Sequence, residues 1–230
     1  MGRKKNILLV QCLKFVMLGV LLSSSTQLLG QTTDTELWTG GTFKLKVNKS
    51  FRIEIEEQLR FNQEVSNFKY AFAEFGTRYK VNKHFSLKGN FRYVTRPNKN
   101  NKTRVSLDAY YRWNKKKFPL SFVYRARIQN TRENVTAKSA AYLRNKLSIG
   151  YNLSKLVDPS IAYELYFRFN GKNEFRVTRL TASLDWRLGK NTDLSTFYRI
   201  QNDINIKRPD RQNIFGLSFS HQVKLKKKKI

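Results

Sequence analysis

Three features of the chain predict an all-β fold, and more narrowly a transmembrane antiparallel up-and-down β-barrel of 10–12 strands. Segments of about ten to twelve residues alternate apolar or aromatic side chains with charged or polar ones, polar connections separate them, and an export-type leader precedes them. Successive side chains of a strand point to opposite faces, so alternation at period two marks a strand. Strands of this length cross a bilayer when tilted, with apolar groups toward lipid and polar groups toward a lumen.

The leader occupies residues 1–30. Arg3, Lys4 and Lys5 open it, Ile7 to Leu22 is mostly apolar, and Ser23 to Gly30 is small and polar. That order is the n-, h- and c-region of a secretory signal, with cleavage placed after Gly30 and Gln31 as the mature N-terminus. Lys14 interrupts the apolar run, leaving it short of the ~20 residues that a spanning helix needs. Cys12 is the sole cysteine and lies in the leader, so residues 31–230, the barrel domain, hold neither a disulfide nor a thiol nucleophile.

The clearest strand is Phe51–Asn62: Phe51, Ile53, Ile55, Leu59 and Phe61 share one parity, and Arg52, Glu54, Glu56, Gln58, Arg60 and Asn62 the other. Phe85–Arg96 and Phe118–Thr131 repeat the pattern. The remaining strands are expected at Leu37–Val47, Tyr70–Val81, Arg104–Asn114, Ala140–Tyr151, Ser160–Asn170, Arg176–Leu188, Asp193–Asn202 and Asn213–Leu225. After the leader no apolar stripe of helical period exceeds two turns. Connections alternate between short ones (Asn48–Ser50, Asn82–His84, Lys115–Lys117, Gly189–Asn191) and longer polar ones (Gln63–Phe68, Pro97–Asn101, Arg132–Ser139, Asp203–Gln212), as outer-membrane barrels do. Phe43, Phe51, Tyr79, Phe85, Trp113, Phe118, Tyr151 and Trp186 lie near the short turns, where an aromatic girdle meets headgroups. Eleven strands are read, whereas bacterial single-chain barrels have an even number. The sequence thus predicts that a terminal strand is misplaced or that the stretch around Trp38, Gly40 and Gly41 bends into two. Glu57 falls on the lipid parity, where a bulge or a place near the loop side would relieve its charge.

Several stretches carry a family resemblance: Glu56-Glu57-Gln58-Leu59-Arg60-Phe61, Glu74-Phe75-Gly76-Thr77-Arg78-Tyr79, Phe91-Arg92-Tyr93 and Tyr142-Leu143-Arg144-Asn145-Lys146-Leu147. Together with the leader and the early Trp38, they resemble the bacterial family known as domain of unknown function 2490. The resemblance implies a small outer-membrane β-barrel and brings no catalytic residues. The C-terminus departs from barrels that end on an aromatic: His221, Val223, Leu225, Lys226–Lys229 and Ile230 follow Phe219. The lysine run reads as a soluble periplasmic tail.

The whole chain has 45 Lys and Arg against 16 Asp and Glu, a net charge of +29, and removing the leader's four cations leaves +25. Such a charge points to nucleic acid, anionic lipid or small anions, and export argues against nucleic acid. On the lumen parity, Arg52, Arg60, Arg78, Lys88, Arg92, Arg104, Arg112, Arg125, Arg127, Arg144, Lys146, Arg168, Arg179, Arg187 and Arg199 face Glu54, Glu56, Glu74, Asp108, Glu164 and Asp185. Arginine's planar fork suits carboxylates and phosphates. These ions either plug the barrel with cross-strand pairs or make a narrow anion-attracting lumen. At the longer connections Lys69, Arg96, Lys99, Lys102, Arg132, Lys138, Lys172, Arg176, Lys207, Arg208 and Arg211 suit lipopolysaccharide phosphates.

Catalysis finds little purchase. His84 and His221 are the only histidines, the first beside a turn and the second on the lipid parity. Gly216-Leu217-Ser218-Phe219-Ser220 lacks the second glycine of a nucleophile elbow. No Cys/His cluster, phosphate loop or calcium loop is present, so no cofactor is expected. Two other readings stay open: an outer-membrane enzyme acting on lipid or lipopolysaccharide, and a soluble basic periplasmic β-protein that binds polyanions.

Overall fold

A computed structural model describes residues 32–114 and 118–225. The leader, Lys115–Lys117 and the Lys226–Lys229 run lie outside the described residues. Within them the chain forms eleven strands and no helix: Thr32–Lys46 (β1), Phe51–Asn62 (β2), Asn67–Lys80 (β3), Phe85–Thr95 (β4), Lys102–Asn114 (β5), Leu120–Glu133 (β6), Ser139–Tyr151 (β7), Val157–Arg168 (β8), Glu174–Arg187 (β9), Thr192–Asp203 (β10) and Asp210–Lys224 (β11). Each pairs with its sequence neighbours and the ring closes between β1 and β11.

Closure at an odd number corrects the even count. When every consecutive pair is antiparallel, the first and last of eleven strands run the same way, so they must pair in parallel. They do so from Thr32↔Asp210 to Lys46↔Lys224. Parallel pairing is slightly weaker per residue, and the seam's fifteen-residue strands offset that with length. No terminal strand is misplaced, and β1 runs unbroken through Trp38, Gly40 and Gly41. Glycine is required at position 40, where a Cβ would collide with the Glu57 carbonyl oxygen of β2.

Inside-out polarity follows from the alternation. Val105, Leu107 and Ile128 turn outward and are 60%, 58% and 57% exposed, whereas Glu36 and Asp108 turn inward and are 1% and 0% exposed. Such polarity belongs to a transmembrane barrel. Every member of the anticipated girdle within a strand takes the outward parity, and Trp113 packs its ring 5.7 Å from Phe118 and 5.4 Å from Phe122. A second outward aromatic set lies at the other end, where Phe61 meets Phe68 at 5.7 Å and Phe167 meets Phe175 at 5.3 Å. Glu57 stays outward and exposed. The nearby register shift falls between Arg60 and Phe61 and does not relieve it. Its direct neighbours, Gly41 and Ala73, are too small to cover the carboxylate.

Two turns at one end share a sequence pattern. In Val47-Asn48-Lys49-Ser50-Phe51 and Val81-Asn82-Lys83-His84-Phe85, the asparagine Oδ1 accepts two backbone N–H bonds, each 2.8 Å. The side chain thereby closes the reversal. The expected contrast in connection length shrinks, because β3, β6, β7, β10 and β11 extend into the stretches assigned to loops. We call the end with residues 47–50 and 81–84 the turn end, and the other the loop end.

Candidate functional site: an arginine-rich lumen

Inward parity on the eleven strands gathers the ions that the sequence singled out. Glu54 of β2 meets Arg52 at 2.5 Å, Lys88 at 2.7 Å and Arg78 at 3.4 Å. Glu74 of β3 accepts from Arg92 at 2.7 Å. Arg127 of β6 grips Asp108 of β5 through two bonds of 2.5 and 2.7 Å, and the Tyr110 hydroxyl donates to the same carboxylate at 3.1 Å. Glu164 of β8 takes Arg125 and Arg144, the latter at 2.8 Å. These are charge-assisted bonds among largely buried groups, where one unmatched partner is costly.

Other predicted residues stay outside that network. Among the described residues no ion pair reaches Glu56, which lies directly opposite Glu74. Arg112 lines the turn-end mouth. Arg168 donates to the Asn170 carbonyl at 3.0 Å near the loop end, and Arg187 pairs with Asp158 at the turn end. Like charges also face each other across strands at Arg52↔Arg78, Arg92↔Arg104, Arg125↔Lys146 and Arg127↔Arg144. Direct like-charge pairs are destabilising on a sheet, so the carboxylates between them hold the wall together.

What the alternation did not disclose is a set of inward aromatics: Trp38, Phe72, Tyr166 and Phe197. Each breaks the pattern, because a large ring takes the parity of Glu36, Glu74, Glu164 or Arg199, and that interruption was the available signal. Arginines lie against the rings: Arg60 is 3.4 Å from the Trp38 centroid, Arg92 3.5 Å from Phe72 and Arg144 4.1 Å from Tyr166. The ring faces stabilise the guanidinium charges. Glu36, also missed, accepts from the Trp38 indole at 2.7 Å and pairs with Lys69 at 2.5 Å.

Toward the turn end the wall from β7 to β1 carries small inward residues, including Ser148, Ser160, Ser183, Ser195, Ser218 and Thr42. A cavity of about 550 Å³ opens there, lined by Arg112, Arg125, Lys146, Ser148, Ser160 and Arg187 among others. A second of about 280 Å³ lies beside Arg52, Arg78 and Arg112. Spaces of that size suit small molecules and hydrated ions.

Neither histidine joins these ions. His84 Nδ1 lies 2.9 Å from the Arg112 carbonyl oxygen, and His221, outward on β11, stacks near Phe43 and lies 2.9 Å from Thr192 Oγ1. Among the described residues no group of histidine, cysteine and carboxylates is arranged to hold a metal.

Fold and lumen together define a transmembrane β-barrel with an ion-lined interior. Its sequence matches the family described as "Protein of unknown function (DUF2490)" over residues 35–213, and the chain belongs to that family. Comparison with the curated proteins finds no match. Among solved structures, the KdgM porin in complex with disordered oligogalacturonate is similar, with 19% identity, a TM-score of 0.44, and coverage of 71% of this chain and 82% of that one.

Proposed function

We propose that the chain is a non-enzymatic outer-membrane barrel whose arginine-rich lumen holds or passes small anions. The observation that carries this reading is the cation surplus inside the wall. Among the described residues Arg60, Arg104, Arg112, Lys146 and Arg199 all take the inward parity, and none has a carboxylate at ion-pair distance. Arg104 and Arg199 hydrogen-bond to threonines, Thr131 and Thr181, at 2.8 and 2.9 Å. Fixed, water-reached cations in a low-dielectric ring attract anions and repel cations. The ion pairs on β2 to β6 narrow the interior, which limits traffic to small solutes. Export follows from the leader, cleaved after Gly30. At the loop end, exposed Lys99, Arg132, Lys138, Lys172, Lys207 and Arg208 suit the phosphates of lipopolysaccharide, whereas Lys69, Arg96 and Arg176 are engaged by Glu36, Glu133 and Glu174.

Reversal potentials across a planar bilayer holding the purified barrel, under a potassium chloride gradient, test this. The expected result is permeation of chloride over potassium. Silence across a range of voltages overturns passage, and preference for potassium overturns the anion-attracting lumen altogether.

A further inference from the structure

We infer that Arg60, Arg179 and Arg199, gathered around the Trp38 indole, form a binding site for a doubly charged oxyanion. The inference deepens the anion-conducting reading and rests on it: the lumen selects at this level by binding, beyond general attraction. The three guanidinium carbons lie 3.4, 5.6 and 4.9 Å from the centroid of one ring. The distances of Arg60 and Arg199 to that shared centroid keep those two carbons within about 8 Å of each other.

Carboxylates nearby are committed elsewhere. Glu36 is 1% exposed and is taken up by the Trp38 N–H and Lys69. Glu164 is shared between Arg125 and Arg144 and reaches Arg179 only at 3.8 Å. Two unpaired guanidinium charges and one weakly paired one therefore crowd a single ring, more than a monovalent ion can compensate.

Neutral groups hold the inner nitrogens and leave outer ones available. Arg60 donates through Nε to Gln58 at 2.8 Å and through Nη1 to the Tyr70 hydroxyl. Arg179 Nε donates to Gln201 at 2.5 Å, and Arg199 Nε to Thr181 at 2.9 Å. Among the described residues, Arg60 Nη2 and both Nη atoms of Arg199 have no hydrogen-bond partner. All three side chains are partly reached by water, so an anion can replace solvent there. Preset guanidinium forks favour tetrahedral or carboxylate oxygens over a spherical halide.

The sequence supplies a reporter. Trp38, Trp113 and Trp186 are the three tryptophans, and the latter two take the outward parity, so a Trp113→Phe/Trp186→Phe background leaves Trp38 as the sole emitter. That barrel, in detergent and shown folded by heat-modifiable migration, is titrated with sodium sulfate and with sodium chloride at matched ionic strength, which removes screening differences. The expected outcome is a saturable change in Trp38 emission at a concentration at least about tenfold lower for sulfate, with Arg60→Gln/Arg199→Gln raising the sulfate value about tenfold or more. Arg199→Gln alone serves if the double variant does not fold. Equal responses to both salts, or sulfate binding unchanged in the variants, overturn the site. Because the emission needs no current, anion conduction without sulfate binding rejects the site alone, and sulfate binding in a silent barrel rejects passage alone.

Discussion

At the scale of single residues, the lumen is held together by carboxylates that each serve more than one donor. Asp108 is the clearest case: it is fully buried, gripped twice by Arg127, and approached by the Tyr110 hydroxyl at 3.1 Å and Asn90 at 3.4 Å. Opposite Arg127 stands Arg144, which keeps Glu164 as its partner, so the loss of the Asp108 charge leaves the buried Arg127 guanidinium facing a like charge without a carboxylate of its own. Asp108→Asn is expected to destabilise the barrel by about 3 kcal/mol, the range for breaking a buried pair by removing one partner. Asp108→Leu combined with Arg127→Met is expected to recover most of that, since the unmatched charge is gone. Urea-induced unfolding in lipid vesicles, followed by tryptophan emission, measures both. A double variant no more stable than Asp108→Asn would show that the ion pair is not the source of the loss.

At the scale of elements, Gly216 shows what a single absent side chain does for a strand pair. It lies directly opposite Phe197 across β10 and β11, with both facing the lumen, and a Cβ there would strike the Phe197 ring. The ring lies over the glycine and meets Trp38 edge-on, with centroids 6.4 Å apart. Gly216→Ala is expected to cost roughly 1–3 kcal/mol by overpacking, and Phe197→Leu to restore part of it by vacating the space, read in the same unfolding assay. An equal loss in single and double variants would place the strain in the backbone of β11. The elements themselves were legible wherever alternation was undiluted: Phe51–Asn62 matches β2 residue for residue. Boundaries slipped where strands rise above the apolar belt. Thr32–Glu36 and Asp210–Gln212 pair in the seam with no apolar residue to mark an outer face. Trp38 and Phe197 were invisible as lumen residues because hydropathy assigns a large ring to lipid, whereas here neighbouring arginines make the inward face hospitable to it.

At the scale of the whole molecule, the odd strand count fixes where the chain enters and leaves the barrel. No local pattern encodes this, because parallel pairing of β1 with β11 joins the two extremes of the sequence. An even barrel brings both ends out on one side. Eleven strands place the start of β1 at the loop end with residues 63–66, and the end of β11 at the turn end with residues 81–84. Residues 31–230 lack cysteine, so single substitutions there give an unambiguous readout. Thr33→Cys is expected to react with an impermeant maleimide from the same side of a sealed proteoliposome as Ser66→Cys, and Lys224→Cys from the same side as Asn82→Cys. Labelling of Thr33→Cys and Lys224→Cys from one side would show that β1 does not close the ring in parallel. The Trp38 site would then lose its place, since Trp38 is aligned with Gly216 only through that seam.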